Sequence, residues 1–411
     1  MVTVVIPHRD PTKEGAQEHV DAIIKSLKAL DDNIVISQSV NDEYKDDKKN
    51  IIGQIESIRS LYDFETSFIV VTSYYAGMDA VIFKKILGES KTKAVLSSYT
   101  AHQSHVMEAL DKQEVDFLAL PKHAIEDEVI NGSYAEKPIK NNIVRIIEMI
   151  GVPQLIDNAM LKEKYAEWNK IATLGKIPKL PSINKENKLI VIMIPGDTED
   201  KDDKPILFEP DEAVKLVEAI YKNAIINSKN TLFMVSNSPR TGKYRDIYNP
   251  EFNSLNPRFH NQDRKNGSEN NPVAKAAITR LIKLAGAENV IDGCIAKDKI
   301  PPQGFLAFYE LLNKQSQAGG KVEIYIDGIS TTMMSQAINV SDYSVAIIAC
   351  DSPAKNSTHI ACYNDFFARG YIDKLELTNG KYSFIKNPVA RNIANRFDDA
   401  RIIAKKIVSI M

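Results

Sequence analysis

Residues 189–196 read Leu-Ile-Val-Ile-Met-Ile-Pro-Gly, an unbroken apolar run that stops at a proline and a glycine. Such a run is typical of a strand buried on both faces, as in a parallel sheet. Asp211–Ala224 follows with helical periodicity, and Thr231–Val235 (TLFMV) is apolar again. A strand, a helix and a strand in this order predict a βαβ unit with a right-handed crossover.

The same alternation continues to the C-terminus. Helices are predicted at Val273–Ala285, Phe305–Leu312, Thr331–Ile338 and Val389–Ile410, and strands at Val290–Ile291, Val322–Ile326 and Ser344–Ile348. The first half carries its own series, with strands predicted at Val2–Ile6, Asn33–Ile36, Ser67–Thr72, Ala94–Ser97 and Val115–Leu120. Residues 141–160 have the pattern of one or two helices, broken near Gly151 and Pro153.

Two α/β series of similar size predict two Rossmann-like domains facing across a cleft. The predicted boundaries are 1–170 for the first domain, 171–188 for a linker that contains Pro178 and Pro181, and 189–388 for the second domain, followed by a C-terminal helical segment at 389–411. Ligands of open α/β sheets bind beyond the carboxyl ends of the strands. The cleft between the two domains is therefore the expected site.

Composition excludes several classes. The 411 residues have a formal net charge of −2, and Lys and Arg form no long basic tract, so no nucleic-acid partner is expected. The three cysteines form no CxxC pair, and no HExxH or HxH pattern occurs, so neither a metal nor another cofactor is expected. Cys350, after an apolar strand, is predicted to be a buried small hydrophobe.

The same features bear on location. The lack of paired cysteine motifs favours a reducing compartment. The sequence has no recognisable signal peptide and no run of about 18 apolar residues, so it predicts a cytoplasmic protein without a membrane span. The richness in Lys and Asn favours a bacterial origin. A peripheral membrane contact and a protein partner stay open.

The first candidate site is Ile326–Ala337, IDGISTTMMSQA, where a strand, a glycine turn and hydroxyl residues open a helix. Ser330, Thr331 and Thr332 are predicted to cap this helix, and its free amides and dipole would bind phosphate. The alternative is an ordinary capped helix of an α/β fold.

A second group follows the strand at 231–235. Two cations and several hydroxyls are predicted to neutralise a diphosphate, namely Ser236, Ser238, Arg240, Thr241 and Lys243. Gly196, after the strand at 189–194, would allow close approach of the ligand. The alternatives are a solvated basic turn and a glycine needed only for a tight turn.

In the first half, polar residues collect in the loops after the strands. They include four of the seven histidines and two tyrosines, namely His8, Tyr74, Tyr75, His102, His105 and His123. Imidazoles on one sheet edge suggest a surface that binds an acceptor and removes its proton. His8 or His102 is the preferred base, although polar residues collect in loops in any case.

Five segments, in the order of the chain, resemble the mitochondrial-fission "elongated mitochondria" family and its bacterial relatives, which look like nucleotide-sugar glycosyltransferases of the GT-B type. They are EGAQEHVDAI (14–23), FLALPKHA (117–124), SNSPRTGKY (236–244), IDGISTTMMSQA (326–337) and CYNDFFARGYIDKLE (362–376). Arg240 and Thr241 agree with the second Arg and the Thr of the family's Ser-Arg-Arg-Thr turn. Pro239 of this chain stands where the family has the first Arg. Gln336 stands where the family has Glu.

The resemblance implies a GT-B architecture in which the last helix crosses back to the first domain. It also implies that the second domain holds a nucleotide-sugar donor, that the first holds an unknown acceptor, and that Gln336 contacts the donor ribose. The predicted function is a metal-independent GT-B glycosyltransferase. Two alternatives are a catalytically inactive GT-B-like scaffold that acts through a protein partner and an enzyme resembling sugar-nucleotide epimerases.

Overall fold

The computed structural model describes residues 2–9, 14–41, 48–73, 79–99, 115–125, 145–199, 205–225, 230–238, 241, 271–294, 304–342, 344–353, 357–389 and 396–411. The chain divides into two compact units: unit 1 is Met1–Leu155 with Phe397–Met411, and unit 2 is Ile156–Arg396. Each unit is built on a largely parallel sheet with α-helices, so the predicted α/β class with two Rossmann-like domains is confirmed. None of the helices in the described ranges is long and apolar enough to span a bilayer.

Unit 1 contains a sheet with the strand order β2-β1-β4-β5-β6-β7, in which all pairs are parallel and β3 also pairs with β1. Its strands are β1 (Thr3–Arg9), β2 (Val35–Ile36), β3 (Val40–Asn41), β4 (Ser67–Ser73), β5 (Thr92–Ser97), β6 (Phe117–Pro121) and β7 (Arg145–Met149). Its helices are α1 (Glu14–Leu30), α2 (Lys48–Ser60), α3 (Ala80–Leu87), the single turn α4 (Lys122–Ala124) and, at the end of the chain, α11 (Asp399–Val408). Strand order reverses between β1 and β4, as in flavodoxin-like sheets.

The C-terminal helix α11 belongs to unit 1. Ile403 and Ile407 share a core cluster with Val5 of β1 on the face that α1 also covers. The buried carboxylate of Asp399 accepts hydrogen bonds from the amides of Ile150 and Gly151, at 2.9 and 2.8 Å. The predicted return of the last helix to the first domain is therefore confirmed.

Unit 2 contains a second sheet with the strand order β12-β11-β8-β13-β14-β15-β16. Its strands are β8 (Lys188–Ile194), β11 (Thr231–Asn237), β12 (Val290–Asp292), β13 (Val322–Asp327), β14 (Ala346–Cys350), β15 (Asp373–Thr378) and β16 (Lys381–Ile385), and a separate hairpin joins β9 (Thr198–Glu199) to β10 (Pro205–Ile206). Its helices are α5 (Asn158–Thr173), α6 (Pro210–Ile225), α7 (Pro272–Ala285), α8 (Leu306–Gln317), α9 (Thr331–Val340) and α10 (Ser357–Ala368). In chain order these sheet strands run 3-2-1-4-5-6-7, which extends the order of dinucleotide-binding folds.

The boundary between the units differs from the predicted one. Helix α5 lies in unit 2, because Trp168 stacks edge-on against Phe308 at 4.9 Å and its indole donates to the carbonyl of Pro178. The segment predicted as a linker, 171–188, is also part of unit 2, where the Gln315 amide donates to the carbonyl of Asn184 at 2.6 Å. Unit 1 therefore ends at Leu155 and resumes at Phe397.

Two sheet regions depart from the sequence-based expectation. Residues 145–149, predicted as helical, form the edge strand β7 against β6. The antiparallel pair β15–β16 was not predicted, and its turn has positive φ at Asn379 (51°) and Gly380 (72°). Asn-Gly is the preferred pair for such a turn, because glycine and asparagine tolerate the left-handed conformation.

Candidate functional site

Strand order in unit 2 reverses between β8 and β13, and ligands of doubly wound sheets bind at such a reversal. The two strands pair in register from Leu189–Val322 to Ile192–Tyr325. At their carboxyl ends β8 runs into Pro195-Gly196, and β13 runs through Asp327-Gly328 into α9. Two of the predicted donor segments are therefore neighbours.

Asp327 joins these two loops. Its buried carboxylate accepts hydrogen bonds from the amide of Gly196 at 3.1 Å and from that of Ile329 at 3.0 Å. The Gly196 amide therefore binds a protein carboxylate, and its predicted role in the close approach of a ligand stays a prediction. Asp327 was not among the predicted site residues, although an Asp-Gly pair at the end of a strand signals a loop of this kind.

Position 328 requires a glycine because neighbouring atoms lie too close for a side chain. A Cβ atom at this position would lie 2.7 Å from the carbonyl oxygen of Cys350 and 3.0 Å from the ring of Tyr363. The Gly328 amide donates to the same carbonyl at 3.0 Å. The turn that starts α9 is thus held against the end of β14.

The N-terminus of α9 has the features of an anion site. Ser330 caps it, with its hydroxyl accepting from the amide of Met333 at 3.3 Å. Helix geometry leaves the amides of Thr331 and Thr332 without intrahelical acceptors, and the helix dipole makes this end positive. Ser330 and Thr332 are half-buried, whereas the Thr331 side chain is buried and its hydroxyl donates to the sulfur of Cys362 at 3.4 Å.

Gln336 lies further along α9 and is 2% exposed. A side chain so enclosed offers little surface to a ribose. The structure therefore does not favour the predicted contact between Gln336 and the donor.

The loop after β11 is fastened to the end of β8. The Thr241 hydroxyl donates to the carbonyl of Ile194 at 3.1 Å and accepts from the amide of Ser238 at 2.9 Å. Asn271 donates to the carbonyl of Thr241 at 2.9 Å, while its side-chain oxygen caps α7. The loops that follow β11, β8 and β13 therefore form one continuous edge.

This arrangement corrects three predicted phosphate ligands. Ser236, Ser238 and Thr241 are buried, and the hydroxyls of the last two lie 3.1 Å apart in a hydrogen bond. Ser238 and Thr241 hold the loop in the structure. Arg240 and Lys243, the two predicted cations, lie outside the described residues.

In unit 1 the reversal of strand order lies between β1 and β4, and a buried pair occupies it. His8 is the penultimate residue of β1 and is 0% exposed. Its Nε2 lies 3.0 Å from a carboxylate oxygen of Asp79, and its Nδ1 lies 3.1 Å from the carbonyl oxygen of Val40. Asp79 directly precedes α3, but its side chain makes no capping hydrogen bond there.

Both ring nitrogens of His8 have partners within the protein. The Val40 carbonyl and the Asp79 carboxyl group each engage one ring nitrogen of His8. His8 therefore has no free nitrogen for an acceptor hydroxyl, which corrects its predicted role as the base. Asp79 was not among the predicted site residues, because its pairing with His8 spans 71 positions of the sequence.

The other predicted acceptor residues are placed as follows. His123 is buried in the turn α4, at the carboxyl end of β6. Four others, Tyr74, Tyr75, His102 and His105, lie outside the described residues. Ser73, Ser97 and Ser98 are also buried at or beside the ends of β4 and β5, so this sheet edge is polar.

Cysteine and metal chemistry find no support in the described residues. Burial raises the pKa of the Cys350 thiol well above its usual value, and the neighbouring Asp327 and Asp351 raise it further. The thiol therefore stays protonated, as expected of a buried small hydrophobe. Within the described ranges, no group of three or more His, Cys, Asp or Glu side chains is arranged to hold a metal ion.

Neither a protein-family model nor a curated protein sequence matches the chain. The structure is similar to that of a UGT transferase from Siraitia grosvenorii in complex with UDP, with a TM-score of 0.46 and 10% identity over 100% of this chain and 90% of that one. It is also similar to the lipopolysaccharide outer core galactosyltransferase WaaB, with a TM-score of 0.46 and 9% identity over 100% of both chains.

A third similar structure is that of S. aureus MnaA with UDP, with a TM-score of 0.41 and 10% identity over 99% of this chain and 88% of that one. The likeness concerns the fold alone, and UDP belongs to those proteins. These comparisons give no support to the mitochondrial-fission family. Function is therefore argued from the residues.

Proposed function

We propose that the chain is a metal-independent glycosyltransferase that uses a nucleotide-diphosphate sugar, with unit 2 binding the nucleotide. The observation that carries the proposal is the reversal of strand order in unit 2. There the loops after β8, β11 and β13 are tied together by Asp327 and Thr241, beside the open N-terminus of α9.

In this proposal the diphosphate is held by the first turn of α9. The amides of Thr331 and Thr332 and the hydroxyl of Ser330 are donors at the positive end of the helix, which suits an anion. Arg240 stands between Ser238 and Thr241 in the sequence, and the Thr241 hydroxyl contacts the end of β8. Arg240, with Lys243, is proposed to neutralise the departing diphosphate, the part a metal ion has in other transferases.

The acceptor chemistry is proposed for unit 1. The His8 ring contacts one oxygen of Asp79, and the Asp79 side chain remains 10% exposed. Asp79, rather than His8, is proposed to take the proton of the acceptor hydroxyl as it attacks the sugar. His8 is a positioning residue that fixes the carboxylate.

One observation favours the scaffold alternative. Ser236, Ser238 and Thr241 are buried, so fewer hydroxyls face a ligand than the sequence predicts. The epimerase alternative needs a carboxylate acid–base pair, whereas Asp327 uses its two oxygens for the backbone amides of Gly196 and Ile329.

The experiment separates binding from turnover. The full chain is screened by thermal shift against nucleoside diphosphates and their sugars, and hydrolysis of any bound donor is then followed. Arg240→Ala is expected to weaken nucleotide affinity at least tenfold, whereas the control Arg280→Ala, which removes a helix-surface arginine paired with Glu218, leaves it unchanged.

Asp79→Asn tests the catalytic half of the proposal. It is expected to keep nucleotide affinity and to lower donor hydrolysis by about 10²-fold or more, in the range of lost general bases. If no nucleotide stabilises the wild-type chain, the donor site is refuted and the scaffold alternative is favoured over the transferase. If Asp79→Asn turns over normally, the assignment of the base fails.

A further inference from the structure

A buried lysine in unit 2 lies against two aromatic rings of one helix. Lys374, the second residue of β15, is 7% exposed. Its Nζ atom lies 4.4 Å from the ring centre of Tyr363 and 4.5 Å from that of Phe367, both on α10. The same ammonium group donates to the side-chain oxygen of Asn364 at 2.6 Å. One cation therefore connects β15 to three side chains of α10.

The burial of this ammonium group restricts the position of α10. An ammonium group that is removed from water loses its hydration, which is unfavourable unless other groups replace it. The face of an aromatic ring attracts a cation, and the attraction is stronger in a site shielded from water than at the surface. Because the attraction requires the cation to lie over the ring face, the charge fixes the orientation of both rings more closely than an apolar side chain of the same length would.

The part of α10 that carries Tyr363 also supports the turn that opens α9. The Tyr363 ring packs against Gly328, where a Cβ atom would lie 3.0 Å from the ring. The preceding residue, Cys362, accepts a hydrogen bond from the hydroxyl of Thr331 at 3.4 Å. Two successive residues of α10 therefore contact the chain on either side of the Ser330 cap.

We propose that Lys374 is a positioning residue for the nucleotide, because through the Tyr363 ring it holds the first turn of α9 in the geometry that binds the diphosphate. This inference rests on the proposed function and deepens it, since it names a residue outside the proposed donors that controls their alignment. Two contacts form the path, from the ammonium group to the ring and from the ring to Gly328. A small shift of this turn would misalign the amides of Thr331 and Thr332, because hydrogen bonds weaken steeply as their geometry departs from the optimum.

Calorimetric titration of the full chain with UDP, ADP and GDP tests this assignment. Lys374→Met keeps the length of the side chain and removes its charge. Affinity for the nucleoside diphosphate is expected to fall about tenfold, the effect of losing a cation–π contact shielded from water. The matched control is Lys188→Met, which removes another buried ammonium group of unit 2, at the amino end of β8. It should lower stability and leave nucleotide affinity unchanged.

A double-mutant cycle shows whether Lys374 acts through the ring. Because Tyr363→Leu removes the ring, adding Lys374→Met to that variant should lower the affinity by less than about twofold. Folding of each variant is checked by the fluorescence of Trp168, the only tryptophan of the chain, which lies in unit 2.

Three results of these titrations would overturn the assignment. The first is unchanged affinity in Lys374→Met. The second is an equal loss of affinity in Lys374→Met and in the control Lys188→Met, which would mean that the loss of any buried charge has this effect. The third is a full tenfold loss on adding Lys374→Met to Tyr363→Leu, which would mean that the two residues act independently.

Hydrogen exchange without nucleotide separates this inference from the proposed function. The amides of Gly328 and Met334 are hydrogen-bonded in the wild-type chain. In Lys374→Met, exchange in the segment 326–337 is expected to rise about tenfold more than exchange in β8. If the wild-type chain binds no nucleotide, the proposed function fails, and exchange alone decides whether Lys374 holds this turn. An equal change in both segments, or no change in 326–337, would overturn the inference in either case.

Discussion

His19 makes the stability of unit 1 depend on pH. It lies on α1 with 1% of its surface exposed, and burial lowers its pKa from 6.5 to about 4. Protonation of His19 in the folded state would place a cation in a site shielded from water. The unfolded chain meets no such barrier.

The direction of the change in stability with pH follows from the lowered pKa of His19. Between pH 6.5 and 4 the unfolded chain binds a proton that the folded chain does not, so stability falls as the pH falls through this window. At pH 5 the unfolded pKa lies about 1.5 units above the solution pH, and each unit corresponds to about 1.36 kcal/mol. His19 alone should therefore lower the free energy of unfolding by about 2 kcal/mol between pH 7.5 and pH 5.

Hydrogen exchange on peptides from α1 and β4 measures this change within unit 1. His19→Leu removes the titrating group, so the variant should lose about 2 kcal/mol less than the wild type between the two pH values. Peptides from β8, in unit 2, provide the internal control. The reasoning fails if wild type and variant show the same pH dependence in α1 and β4.

Two further predictions concern buried charges. Asp399→Ala should destabilise the docking of α11 by about 2–4 kcal/mol, because it removes two amide hydrogen bonds to a charged group. Asp398→Ala removes one exposed N-cap and should cost about 1 kcal/mol. Hydrogen exchange of the α11 amides compares the two variants. Glu323→Ala leaves the ammonium of Lys188, whose side chain is 2% exposed, without its partner at 2.7 Å. It should lower the free energy of unfolding in urea by about 3–5 kcal/mol. Asp365→Ala, in a more exposed pair, should lower it by under about 1 kcal/mol. Equal losses within either pair would contradict the prediction.

The central strands were predictable because their pattern is local. β8 is buried along its whole length, and after Lys188 its side chains form a continuous apolar run. α1 and α11 carry apolar residues at helical spacing because one face of each helix contacts the sheet. These patterns depend on burial and on the period of each element, and both can be counted along the chain.

The edge strands were harder. β7 reads Arg-Ile-Ile-Glu-Met, and its residues 145 and 148 are exposed. Taken without its neighbour β6, this segment fits a helix as well as a strand, so only its pairing with β6 determines its conformation. The hairpin β15–β16, by contrast, carries a local signal at Asn379-Gly380 that names its turn.

The candidate site shows the same limit. The sequence predicts that hydroxyls and imidazoles collect after the strands, and among the described residues Ser98, His123 and Ser238 lie there. It does not show that His8 pairs with Asp79, 71 residues away, or that Thr241 bonds to Ile194. Hydrogen-bond partners are chosen across the sheet, and the spacing of residues along the chain does not encode them.

The sequence alone determined two parallel sheets and a last helix that follows an α/β series, because burial repeats with the period of each strand and helix. Only the tertiary structure decided which polar groups at the carboxyl edges bind one another. A hydroxyl or carboxylate has the same letter in either role, and its partner comes from a distant part of the chain. That is why Asp79 and Asp327 emerged only from the folded arrangement.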